Sequence, residues 1–147
     1  MRVFAAAGAG FLLAVLWFDL MFDVQTRNHR AAALPPAVLA SISTYYRRVT
    51  TEASPMGQLV AVVMALTILA IAAEIGRGAA PWRVGWPSLV SALLAIGLAL
   101  GRTVRDAKRL GAAADGAGEQ SRLARRIYRD HQVSFAGRVA TVGVGCP

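Results

Sequence analysis

Residues 56–73 read MGQLVAVVMALTILAIAA, eighteen consecutive positions without a charge. Coiled as an α-helix, that run extends about 27 Å at ~1.5 Å per residue, close to the ~30 Å hydrocarbon core of a bilayer. Two more uncharged runs, 3–18 and 84–101, have the same character. A hydrophobic fraction of 56% and a mean hydropathy of +0.49 exclude a soluble domain of this size, which would leave much of that apolar surface in water. The 147 residues leave room for three or four spans and short connections. One domain over 1–147 is therefore expected, an all-α polytopic transmembrane helix bundle.

Arg2 followed by an apolar run resembles a secretory signal superficially. The run ends in Trp17-Phe18-Asp19 and not in a small-x-small cleavage site, so it is read as a retained span. Spans are expected at about 3–22, 56–74 and 84–101, with a short fourth at 131–147. The last segment is the least regular of the four. It carries Arg138 and glycines at 137, 143 and 145, and it reads either as a tilted or thinned span with Arg138 facing the bundle or as an interfacial tail.

The formal charge of +8 is distributed unevenly. Loop 23–55 holds Arg27, Arg30, Arg47 and Arg48, while loop 102–130 holds Arg102, Arg105, Lys108, Arg109, Arg122, Arg125, Arg126 and Arg129. Two spans separate these loops, so they share a side; the other side has only Arg2, Arg77 and Arg83. The positive-inside rule makes both basic loops cytoplasmic and the N-terminus external, in a bacterial inner (plasma) membrane. Nucleic-acid binding is not expected, because recognition folds and aromatic interleaving are missing.

Within the first basic loop, Val38, Leu39, Ile42, Tyr45, Tyr46 and Val49 recur at helical spacing after Pro35-Pro36, predicting an amphipathic helix on the inner surface or under the bundle. Tyr45 and Tyr46 would sit at headgroup level. Ser54-Pro55 and Pro87 fall at helix starts. Beyond span three, Gly111 to Gly118 should break the helix, Ser121 should cap the next, and Arg122, Arg125, Arg126 and Arg129 should form one stripe that contacts anionic lipid. Gly97 and Gly101, like Ala6 and Gly10, have the small-xxx-small spacing that lets helices approach closely, read first as packing within the bundle and second as a dimer face.

Asp19 and Asp23 are the sharpest chemical signal. Their i, i+4 spacing puts both carboxylates on one face at the inner end of an uncharged span. They could relay protons or bind a cation. The structural alternative extends them through Arg27 into an Asp19-Asp23-Arg27 ladder at the water interface. Arg27, His29, Asp130 and His131 are expected to form a polar cluster on the same side. Their spacing fits no metal motif, so no metal and no cofactor are predicted. No catalytic residue is assigned, since neither a triad context nor a phosphate-binding loop is present. Cys146, the single cysteine, reads as an inert terminal thiol.

The strings Trp-Phe-Asp-Leu-Met-Phe-Asp-Val-Gln (17–25) and Ser-Arg-Leu-Ala-Arg-Arg-Ile-Tyr-Arg-Asp-His (121–131) resemble small uncharacterised bacterial integral membrane proteins with four predicted spans. The likeness covers most of the chain. It implies a fourth span and brings no activity with it.

Three functional classes remain. First is a non-catalytic accessory or scaffold subunit that packs against other membrane-protein helices and anionic lipid. Second is proton or small-ion transport using Asp19 and Asp23. Third is a membrane enzyme acting on a lipid or quinone through Asp19, Asp23, His29 or His131.

Overall fold

The computed structural model describes the backbone of residues 2–145 and the side chains of 3–53 and 55–137. Among the described residues there are six α-helices and no strand: α1 (Arg2–Asp23), α2 (Pro36–Arg47), α3 (Ser54–Gly76), α4 (Trp82–Leu98), α5 (Val104–Ala112) and α6 (Ala117–Gly145). A 3-10 turn, Val24–Thr26, extends α1, and π-helical turns occupy Arg48–Glu52 and Ala99–Thr103. Three helices are long and apolar enough to cross a membrane: Val3–Thr26, Pro55–Gly76 and Trp82–Ala112. Phe4, Leu59, Val62, Leu66, Leu69, Leu93 and Leu94 stand exposed along them. This architecture is compatible with an integral membrane protein, whose outward apolar faces hydrocarbon would cover.

The helices alternate in direction. α1 runs down to the polar end of the bundle, α3 returns beside it, and α4 descends again to meet α5. At α1 and α3 the approach is close enough that a Cβ on Gly8 would strike the Thr67 hydroxyl. That hydroxyl donates to the Val63 carbonyl at 2.7 Å, so the Thr67 side chain is satisfied within its own helix. α6 starts in the polar end and continues past His131 alongside α1 and α4, with the Phe135 ring 5.9 Å from that of Trp17. Arg138, expected to face the bundle, and Cys146, expected to be inert, lie outside the described side chains.

The best-buried apolar cluster is not between the spans. It sits at the polar end, where Leu39, Ile42 and Tyr46 of α2 pack on Ala107 and Leu110 of α5 and on Leu123, Ala124 and Ile127 of α6, with Leu34 closing one side. The two basic loops therefore form one cap. The physical cause is solvent: the spans need only lipid outside them, whereas the cap must exclude water with its own core. Contact is tightest at Gly111, where an added Cβ would lie 2.7 Å from the Arg47 backbone nitrogen.

Several local expectations are corrected. Tyr46 is 2% exposed and belongs to the cap core, not the headgroup layer. Pro87 lies inside α4 because Pro81 already occupies the N-cap and the helix begins at Trp82. The helix break narrows to the residues between Ala112 and Ala117, and α5 ends on Ala113 in the left-handed region at φ 51°. Ser121 is one turn inside α6 and not its cap. Its hydroxyl donates to the Ala117 carbonyl at 2.6 Å and accepts the Leu34 N–H at 2.8 Å. Arg125 draws the loop after α1 onto α6, with its guanidinium donating to the backbone carbonyls of His29 at 3.1 Å, Ala31 at 2.5 Å and Ala32 at 3.3 Å.

Candidate functional site

The last turn of α1 places Asp19 and Asp23 on one face, as their spacing requires, and that face meets the cap. Asp23 is fully buried. Its Oδ1 accepts the Tyr46 hydroxyl at 2.7 Å, and its Oδ2 lies 2.7 Å from His131 Nδ1. Asp19 Oδ1 accepts the Tyr45 hydroxyl at 2.6 Å. Adjacent tyrosines on α2 thus serve adjacent turns of α1. The Tyr45 ring stacks on Phe22, centroids 4.0 Å apart and 11° from parallel, which fixes the phenol over the carboxylate.

A second carboxylate site abuts the first through the sequence pair Asp130-His131. Asp130 accepts both Arg102 Nε at 3.0 Å and a second nitrogen of the same guanidinium, a bidentate fork, and Thr103 Oγ1 at 3.1 Å. Arg102 and Thr103 come from the π-helical turn between α4 and α5, and such turns recur at functional positions. Asp106, also buried, is held by Arg126 at 3.3 Å.

Burial, and then the carboxylates of Asp19 and Asp23, raise the Tyr45 and Tyr46 hydroxyls well above the ordinary phenol value. Both stay protonated and act as donors. The resulting chain of groups (Tyr45 on Asp19, Tyr46 and His131 on Asp23, Arg102 and Thr103 on Asp130) anchors α1 to α2 and α6.

The structure brings together Asp19, Asp23, Asp130 and His131 from among the sequence candidates. It leaves out two. Arg27 is exposed, so the Asp19-Asp23-Arg27 ladder is replaced by phenol and imidazole partners, which the buried face of α1 can reach and Arg27 cannot. His29 enters only through its backbone carbonyl. Tyr45, Tyr46, Arg102 and Thr103 were the missed members. A doubled tyrosine, each hydroxyl needing a partner wherever it is buried, was the available signal. Among the described residues, no three His, Cys, Asp or Glu side chains gather as a metal site.

The arginine stripe of α6 is divided. Arg125 and Arg126 are engaged by protein groups, Arg122 pairs with Glu119, and Arg129 is exposed. The small residues also separate by role. A Cβ added at Gly10, Gly97 or Gly101 would meet nothing within 4 Å, and Ala6 is exposed. Close packing inside the chain falls instead to Gly8, Gly85 and Gly111.

No protein-family model, curated protein or solved structure matches this chain. Three helices long and apolar enough to cross a membrane are what this chain itself supplies.

Proposed function

We propose that this chain is a non-catalytic accessory or scaffold subunit of a bacterial inner-membrane assembly. The reading is carried by one observation: the small-residue surfaces Ala6/Gly10 on α1 and Gly97/Gly101 at the end of α4 face outward with open space before them. In lipid, such surfaces gain by meeting another helix at short range, through dispersion contacts that a lipid tail makes less well. The second half of α6 serves as a fourth crossing. It covers about 22 Å at ~1.5 Å per residue, so it tilts or thins the bilayer. The cap built from loops 23–55 and 102–130 is cytoplasmic and the N-terminus external, with Arg122 and Arg129 available to anionic lipid.

Purification in mild detergent tests the subunit role. A stable complex with a second copy or with other membrane chains is expected, lost in Gly97→Leu or Gly101→Leu while the helix content is retained. A wild-type chain that is monomeric at all concentrations, with both variants indistinguishable from it, would overturn the proposal.

A second reading, proton or small-ion transport, is favoured by the contact of fully buried Asp23 with His131. Intramembrane acids are costly to place and commonly functional. Infrared titration distinguishes the two: a carboxylic-acid band that persists at neutral pH and vanishes in Asp23→Asn or Asp19→Asn supports transport, and its absence in the wild type supports the structural role.

A further inference from the structure

α2 has a second face, opposite its contact with the cap core. Ala37, Ala40, Ser41, Thr44, Tyr45 and Arg48 recur along it at alternating steps of three and one. Together with Phe22 of α1 they line an open groove of about 500 Å³. Its parts differ in chemistry. The alanines leave room at the end away from the span, the stacked Phe22 and Tyr45 rings form an apolar wall on the span side, and hydroxyls and a guanidinium stand between and beside them. The Ser41 hydroxyl accepts Gln25 Nε2 at 3.2 Å and keeps its own proton to donate. Among the described residues, neither the Thr44 hydroxyl nor the exposed Arg48 guanidinium has a side-chain partner, whereas the neighbouring Arg47 is paired with Glu52 at 3.1 Å. Asp19 has its Oδ1 occupied by Tyr45, and Glu52 is paired with Arg47.

The groove opens beside the last turn of the span Val3–Thr26, the level at which lipid headgroups begin. From Ala37 to Arg48 it follows the helix for about 16 Å at ~1.5 Å per residue, enough for a phosphate and its headgroup. The pairs Ser41–Gln25, Tyr45–Phe22 and Tyr45–Asp19 put Arg48 at its membrane end and Ala37 at its water end. We propose that it seats one anionic phospholipid, the phosphate on Arg48 with the Thr44 and Ser41 hydroxyls, the rest of the headgroup over Ala40 and Ala37, and the first acyl carbons against the Phe22–Tyr45 pair where α1 enters lipid. Charge complementarity chooses this occupant. A neutral apolar guest would leave the guanidinium and hydroxyls without partners, and a free anion would leave the ring wall and alanines uncovered. The site rests on membrane placement and not on the subunit role.

The full chain in mild detergent is examined by native mass spectrometry with added phosphatidylglycerol, phosphatidylcholine or inorganic phosphate. Phosphatidylglycerol is expected to remain bound at concentrations about 10-fold below those needed for phosphatidylcholine, and Arg48→Gln to weaken retention about 10-fold, as for one charge-assisted hydrogen-bonding group. Ala40→Phe, filling the groove from an exposed position, should weaken it comparably with unchanged circular dichroism. Arg30→Gln, at an exposed arginine outside the groove, should leave it unaltered. Equal retention of the two lipids, equal loss in Arg48→Gln and Arg30→Gln, or full displacement by equimolar phosphate each overturns the site. A monomer that retains phosphatidylglycerol selectively defeats the subunit role alone, and a dimer without selectivity defeats this site alone.

Discussion

Replacing Tyr46 by Phe removes one hydroxyl from the centre of the cap and nothing else. The ring remains between α2, α5 and α6, so no cavity opens and the packing contribution is preserved. What disappears is the donor to a fully buried carboxylate at 2.7 Å, an interaction of the charge-assisted kind worth roughly 1.5–3 kcal/mol. Asp23 would retain His131, so assembly of α1 on the cap should survive. Tyr45→Phe offers an internal standard, because its hydroxyl serves a partly exposed carboxylate and its ring keeps the Phe22 stack; there the loss should be about 0.5–1.5 kcal/mol. Pulse proteolysis of the cap in mild detergent, across a temperature or denaturant series, reads both free energies. A cycle combining Tyr46→Phe with His131→Gln should show coupling of roughly 0.5–3 kcal/mol, since both groups hold one carboxylate. If Tyr46→Phe costs less than about 0.5 kcal/mol, or if the two substitutions are strictly additive, the Tyr46 and His131 contacts to Asp23 do not hold the cap together.

The same phenols set an alkaline limit. Their folded values lie above the ordinary phenol value of 10.0, so the folded state binds the proton more tightly than the unfolded one; stability is intact below pH 10.0 and falls as pH rises toward the folded value. Tyrosinate absorbance of Tyr45 and Tyr46, assigned by single Phe variants, should appear only together with loss of near-ultraviolet dichroism; ionisation in the native protein would contradict the burial described. Ala113→Gly, relieving a left-handed alanine at φ 51°, should stabilise the cap by about 1 kcal/mol in the same proteolysis measurement, and no gain would show that the strain is absorbed elsewhere. For orientation, a periplasmic reporter fused after Gly78 should be active and one inserted near Gly116 inactive. Equal activity at both would reverse or abolish the assigned topology.

Span positions were legible because lipid imposes a one-dimensional requirement, a run of uncharged residues of sufficient length, and the run at 56–73 meets it without reference to any neighbour. The cap was only half legible. Ile42 and Tyr46 showed helical periodicity, but a periodic face does not say whether it meets headgroups or protein, and here Leu110, Leu123 and Ile127 supply the answer from residues far along the chain. At the site, the i, i+4 carboxylates were visible while their partners were not. The nearest cation in sequence, Arg27, suggested a ladder, yet the groups that reach Asp23 come from positions 46 and 131, set by the packing of three helices. Gly97 and Gly101 carried the right motif with no indication of direction, since a spacing rule fixes a face and only the fold decides where that face points.

The contact between Asp23 and His131 spans 108 positions of sequence, and that between Leu34 and Ser121 spans 87. At ~5–20 residues per second, the ribosome needs roughly 5–20 s to produce the partner after the first member has emerged. During that interval the end of α1 presents a carboxylate destined for a dry pocket, beside a span already entering lipid. Biogenesis therefore has a built-in waiting period, in which α1 must stay at the water boundary or be chaperoned. The closing event is the arrival of α6, which follows the other described helices in sequence. Truncations that remove α6 should consequently leave a chain that inserts but never matures, and quality-control proteases would meet it as an unfinished product.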